Sequence, residues 1–356
     1  MTNSRIERIR SELKRRQLDA MIVSFLPHVR FLTNFSGTNA LCILKARDAF
    51  FITDARYVLQ SGTEVRGYKR TIAPAGLLEG MSTKNLLGGC RLVGFESHYV
   101  SYAQHRTLRR LFPRVSFIPM TDVVENVALV KDDREIELMK RAITISDRTF
   151  SDVLKVIRPG VRELEIAAEI SYLHKMYGAE SDAFDAIVAS GKRGCVPHAR
   201  ASRKKIKNGE LVTLDFGCSV DGYNSDITRT VAVGRVPRRA RHMYDVVLEA
   251  QLAAVDAAKA GMLAKELDRV ARERIKLRGF GRYFTHGLGH GLGLVVHERP
   301  RISPLSKERL LPGCVVTIEP GVYIQEYGGI RIEDDVLLTT TGRRVLSRSP
   351  KELITL

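Results

Sequence analysis

Short apolar runs separated by amphipathic stretches fill the first third of the chain. DAMIVSF (19–25), LCILKA (41–46), AFFITD (49–54), RLVGFE (91–96) and SFIPM (116–120) predict strands. RIERIRSELKRR (5–16) and YAQHRTLRRLF (102–112) space their apolar residues as amphipathic helices do. Together these predict an α/β domain with its own core. Beyond residue 121 the pattern changes. KDDREIELMKRAITISDRTFSDVLKVI (131–157) puts Ile136, Met139, Ala142, Ile143, Ser146 and Phe150 near one face, predicting a long helix stopped by Arg158-Pro159-Gly160. A second helix, 163–178, closes at Gly178, and strands follow at 184–190, 210–220 and 223–233. Two more helices are predicted over 237–260 and 264–278, and then the strand-like segments GLVVHE (293–298), CVVTIEPGVYI (314–324) and GGIRIEDDVLLT (328–339). Helices and strands come in groups, so this second part reads as α+β. The expected domains are 1–128 and 129–356, with no sequence repeat.

Several polar residues break the apolar pattern of the second domain. In DFGCSVDGYNSDITRT (215–230) Asp221-Gly222 is a two-residue hairpin signal. A turn there pairs Val220 with Tyr223, Gly217 with Asp226, and Asp215 with Thr228. Asp215 and Asp226 then become diagonal neighbours on one face, roughly 7–8 Å apart, with Gly217 adding no bulk between them. Converging carboxylates repel unless a positive charge lies between them, and a divalent cation fits that need. The alternative is that one or both cap turns or pair with Arg229. THGLGHGLGLVVHE (285–298) carries His286, His290 and His297 among glycines too numerous for a helix, which predicts a turn presenting one ligand. Glu319 ends an apolar strand before Pro320-Gly321. Strand alternation puts Arg331 and Glu333 on one face and Ile330 and Ile332 on the other. For either strand alone a buried salt bridge is the favoured reading. Taken together, four carboxylates and an imidazole form an oxygen-rich donor set that favours manganese, with cobalt, iron or zinc able to substitute. So many carboxylates suit two ions about 3.5–4 Å apart.

Composition adds little to this picture. The chain has 356 residues, 44% of them hydrophobic, which suits two cores. Its charge of +17 is spread along the sequence and mixed with acids. There is no zinc-finger spacing or aromatic-rich sheet motif, so no specific nucleic acid is expected as partner. No segment is long and apolar enough to predict a membrane span. The basic N-terminus holds Glu7, Glu12 and Asp19 and lacks the apolar core of a secretory signal, so a cytoplasmic protein is expected. Cys42, Cys90, Cys195, Cys218 and Cys314 are scattered without a CxxC and predict reduced thiols.

In this order, DFGCSVDGYNSDITRT, GHGLGLVVHE, TIEPGVY and GGIRIEDDVLLT resemble the "pita-bread" metallopeptidases: aminopeptidase P, prolidase and methionine aminopeptidase. The resemblance runs end to end and includes a smaller creatinase-type N-terminal domain. It implies Asp215, Asp226, His290, Glu319 and Glu333 as metal ligands and two divalent ions that activate a water. Glu319 is implied as the base that passes a proton to the leaving proline nitrogen. His198 and His297 match active-site histidines, His286 a group of the substrate pocket, and Arg331 an orienter of a carboxylate such as Asp215. The resemblance points first to an Xaa-Pro aminopeptidase acting on proline-containing peptides. Prolidase, acting on dipeptides, is the alternative, and a non-catalytic nucleic-acid or protein-binding module a remote one. A homodimer is expected by the same resemblance.

Overall fold

Six strands of the N-terminal unit form one mixed sheet. They are β1 (Ala20–Val23), β2 (Ala40–Lys45), β3 (Ala49–Asp54), β4 (Lys69–Ala73), β5 (Leu92–Glu96) and β6 (Ser116–Met120), in the order β4-β3-β2-β1-β5-β6. The computed structural model describes the backbone from residue 2 and side chains from residue 4 onward. Its chain divides into one unit ending at Ala128 and another running Leu129–Leu356. β1, β2 and β3 pair antiparallel, while β1–β5, β3–β4 and β5–β6 pair parallel. Ile22, Leu41, Ile43, Ile52 and Val93 fill the core on one side of this sheet. Sequence pattern did not predict β4, and its position explains why: it is an edge strand whose first two residues are exposed. The helices Leu26–Thr33, Val58–Glu64 and Leu77–Thr83 were also missed, being too short to establish a helical period.

The second unit contains two rounds of the same element order. Helices Asp133–Val153 and Glu163–Met176 precede β7 (Ser181–Asp182), β8 (Ile187–Ser190), β9 (Glu210–Phe216), β10 (Cys218–Val220), β11 (Tyr223–Asn224) and β12 (Ile227–Val233). Helices Arg238–Ala257 and Ala264–Leu277 then precede β13 (Gly289–Gly291), β14 (Glu298–Ile302), β15 (Val315–Ile318), β16 (Gly321–Ile324), β17 (Gly328–Arg331), β18 (Asp334–Thr339) and β19 (Gly342–Val345). The mixture of helix and antiparallel sheet is α+β. Asp132 caps the first helix by accepting from the Glu135 N–H while Glu135 accepts from the Asp132 N–H. That helix ends at Val153, before Pro159, because its last turn tightens into the bonds Lys155 N–H to Asp152 and Val156 N–H to Val153.

Where long strands were expected, the ladders are interrupted. The 210–220 run breaks at Gly217 and the 223–233 run at Ser225-Asp226. CVVTIEPGVYI breaks at Glu319-Pro320, and GGIRIEDDVLLT at Ile332-Glu333. GLVVHE is a bend until Glu298, so that expected strand is corrected to the two short strands β13 and β14 on either side. β13 itself is bulged, with a register shift between Gly289 and Gly291. Bulges and breaks re-aim side chains, and here they fall at Asp226, His290, Glu319 and Glu333.

Candidate metal centre and active site

The hairpin register is the one that its turn dictates. Asp221 and Gly222 take φ of 50° and 82°, Val220 pairs with Tyr223, and Asp215 pairs with Thr228. Gly217 and Asp226 lie at the break, where the Asp226 N–H leaves the hairpin and donates to Asp335 Oδ2 at 3.1 Å. A Cβ at Gly217 would lie 1.9 Å from the Ser225 carbonyl oxygen, so only glycine lets the strands approach here. Asp215 and Asp226 are both buried.

His290 enters the same space from the bulged β13. Its flanking glycines permit this: a Cβ at Gly289 would meet the Thr317 oxygen at 2.1 Å, and one at Gly291 the Arg299 oxygen at 2.0 Å. Nδ1 of His290 is bonded to the Gly291 carbonyl at 3.0 Å, so Nδ1 carries the proton and Nε2 presents its lone pair. Nε2 lies 3.7 Å from Asp226 Oδ2 and 3.4 Å from Glu319 Oε1. Asp226, His290 and Glu333 offer donor atoms that all lie within 4.8 Å of one another.

Two carboxylates are held from behind by Arg331. Its Nη2 donates to Asp215 Oδ2 at 2.5 Å, and its Nε lies 3.9 Å from Glu319 Oε2. Nε also donates to Thr228 Oγ1 at 3.0 Å, and that hydroxyl donates to Glu333 Oε2 at 2.7 Å. Glu333 Oε1 is buried with no hydrogen-bond partner. Arg229, the other candidate partner for the hairpin acids, instead pairs with Asp334 at 2.8 Å.

This crowding governs protonation. Burial first, then Glu333 and Asp215, holds the Asp226 carboxyl well above its ordinary range. Burial, then Glu319 and Asp215, does the same to Glu333. Burial pushes Glu319 up to about 8, against the opposing pull of Arg331. Burial, and then His297, pushes His290 down to about 4. A neutral imidazole facing carboxylates that resist ionisation is an arrangement that a cation between them would favour. The unsatisfied Glu333 oxygen and the hard oxygen donors fit a divalent metal.

The remaining predicted residues sit around a cavity of roughly 640 Å³ that the acidic cluster floors. His198 is exposed on its wall, and the ring of His297 lies 4.3 Å from that of His290. His286 bonds the Gly287 carbonyl through Nδ1 at 2.7 Å and the Tyr323 hydroxyl through Nε2 at 2.9 Å. The Tyr323 oxygen in turn accepts from Arg331 Nη1 at 2.8 Å. Tyr323, Thr228 and Asp335 were not singled out from the sequence. For Tyr323 a signal existed: Val322 and Ile324 are in the core, so strand alternation turns Tyr323 to the opposite face.

Residues 137–340 match Metallopeptidase family M24, and residues 5–130 match the Creatinase/Prolidase N-terminal domain. The chain belongs to metallopeptidase family M24. It is a metallo-exopeptidase with a pita-bread catalytic domain that follows a creatinase-type domain in the sequence. An Xaa-Pro dipeptidase of Pyrococcus horikoshii is 37% identical over 357 residues, covering 99% of each chain. The solved Xaa-Pro dipeptidase from Bacillus anthracis superposes with a TM-score of 0.96 at 40% identity and full coverage of both chains. The X-Pro aminopeptidase from Thermotoga maritima superposes at 0.90 with 36% identity, covering 96% of this chain and 98% of its own.

Proposed function

We propose that this M24 chain is an Xaa-Pro dipeptidase, the alternative rather than the first of the sequence expectations. The observation carrying the peptidase reading is the cluster of buried Asp226, His290 and Glu333 with half-buried Glu319 beneath an open cavity. The names of the relatives favour the dipeptide substrate. So does the cavity lining, which includes the cationic residues Arg200 and Arg301. A dipeptide puts its terminal carboxylate one residue beyond the scissile bond, within reach of such a wall, and arginine suits carboxylate recognition. A longer peptide carries that charge out of the cavity.

Asp215, Asp226, His290, Glu319 and Glu333 would hold two divalent ions, manganese being the best match to the donors, with cobalt, iron or zinc able to replace it. Bound there, such ions supply Lewis acidity, acidifying water and polarising the substrate carbonyl. Glu319 takes the proton of the attacking water and delivers it to the proline nitrogen, a tertiary amide nitrogen that must be protonated to leave. His198 and His297 donate hydrogen bonds to the substrate carbonyl and the developing oxyanion, worth about 2–4 kcal/mol each. Arg331 aims Asp215 through Nη2, and Tyr323, itself bonded to His286, fixes Nη1 of Arg331. The homodimer stays a proposal resting on the family resemblance, and the cytoplasmic location stays a proposal as well; no helix of the described residues is long and apolar enough to cross a membrane.

The test is a paired assay of Xaa-Pro and Xaa-Pro-Yaa with defined metals. The dipeptide should be strongly preferred, and Arg301→Leu should raise its KM. Equal or faster cleavage of the tripeptide would replace this reading with the aminopeptidase one.

A further inference from the structure

The segment 191–202 carries Pro197, His198 and Arg200 to the cavity wall, yet beyond the turn Gly191–Cys195 it has no regular secondary structure. Both its ends close on one side chain away from the cavity. Glu163, the first residue of the helix Glu163–Met176, is fully buried at 0% exposure. Its Oε1 accepts from the Ser190 N–H and the Ser190 hydroxyl, each at 2.8 Å. Its Oε2 accepts from Arg193 Nε at 3.0 Å, the Ser202 N–H at 3.1 Å and the Ser202 hydroxyl at 2.6 Å. Three of these donors precede His198 in the chain and two follow it.

A local helix-capping role does not account for this arrangement. Every donor lies 27 to 39 residues away in sequence, and none belongs to the helix of Glu163. A buried carboxylate is tolerated only when its lone pairs are satisfied. Glu163 reaches that condition only if both ends of the segment come to it. Charge-assisted bonds of this kind are about twice as strong as neutral ones, so the two ends are locked together at the base. Further ties sit inside the clasp: Arg193 Nη2 donates to the Arg200 carbonyl at 2.5 Å, and Arg331 Nη1 to the Pro197 carbonyl at 3.3 Å.

We propose that Glu163 is a positioning residue, which sets His198 over the cavity by clasping both ends of 190–202. The proposal rests on the reading of His198 as a donor to the substrate carbonyl. Glu163→Gln keeps the shape but removes the charge and turns an amide N–H toward donors. In that variant kcat/KM for an Xaa-Pro dipeptide should fall about 100-fold, the penalty of misplacing a catalytic group by an ångström or so. Bound manganese should be unchanged. Hydrogen exchange should quicken in 191–202 and stay unchanged in β15 and β18. In a His198→Ala background the same substitution should cost less than about 3-fold, because coupled residues do not add. Equal cost in both backgrounds, or unaltered exchange in 191–202, overturns the proposal. Should Glu163→Gln fail to fold, Ser202→Ala removes one clasp bond and should give the same signs at smaller amplitude; no change there overturns it too. A wild-type protein inert toward Xaa-Pro dipeptides would refute the functional reading alone, while the exchange data still decide the clasp.

Discussion

Arg331 is buried among carboxylates that it both steadies and holds apart. It contacts Asp215 directly, Glu319 at longer range and Glu333 through Thr228. Removing one partner of such a buried pair leaves an uncompensated charge. Arg331→Met should therefore destabilise the metal-free protein by about 3–5 kcal/mol in urea unfolding; a loss below 1 kcal/mol would mean that Asp215 does not depend on it. Glu319 differs in that its proposed work is proton transfer. Glu319→Gln should lower kcat by about 10³-fold, read beside the metal content of the purified variant. Near wild-type turnover with metals bound would remove Glu319 from the role of base.

At the scale of elements, function sits where strands stop. Asp226, Glu319 and Glu333 all occupy gaps between consecutive strands, and His290 occupies a bulge. At such gaps a backbone group is free to bond a side chain, as the Asp226 N–H does with Asp335. Glycines pay for the close approach of neighbouring backbones. Gly217→Ala would drive a methyl into the Ser225 carbonyl and should cost about 3 kcal/mol. Gly178→Ala, where an added Cβ has nothing within 4 Å, meets only the strain of a φ of 91° and should cost about 1 kcal/mol. Thermal or urea denaturation of the two variants measures the difference, and equal losses would contradict the account of the break at Gly217.

For the whole molecule, the buried acids tie stability to pH and to metal. Burial holds His286, His290 and His297 below the ordinary histidine value of 6.5, so above it they are neutral in the folded and unfolded chain alike. Glu319, raised to about 8, still holds a proton there that the unfolded chain has released, and Asp226 and Glu333 are shifted the same way. The folded state thus binds more protons than the unfolded one, so stability falls as pH rises, by about 1.4 kcal/mol per pH unit for each proton held. The chelated protein should show a lower Tm at pH 8 than at pH 7. Manganese, which competes with those protons, should raise Tm more at pH 8. A chelated Tm that is flat or rising over this range would rule out the buried-acid account.

Local rules carry the sequence reading a long way. Asp221-Gly222 determined the hairpin register, because a turn that requires positive φ leaves one pairing for the strands. Alternation in GGIRIEDDVLLT separated the core-facing Ile330 and Ile332 from Arg331 and Glu333, since side chains on a strand alternate whatever lies beyond it. Other features had no local signature. The breaks at Gly217, Glu319 and Glu333 depend on neighbouring segments. The His286–Tyr323–Arg331 chain joins side chains from three separate segments, and Asp335 meets Asp226 across 109 residues. The clasp of Glu163 closes on residues that the sequence marks only as polar. Residue types and their spacing determined which groups were available as ligands; tertiary structure alone decided which of them share a cavity, because burial and hydrogen bonding between distant segments are set by packing and not by local pattern.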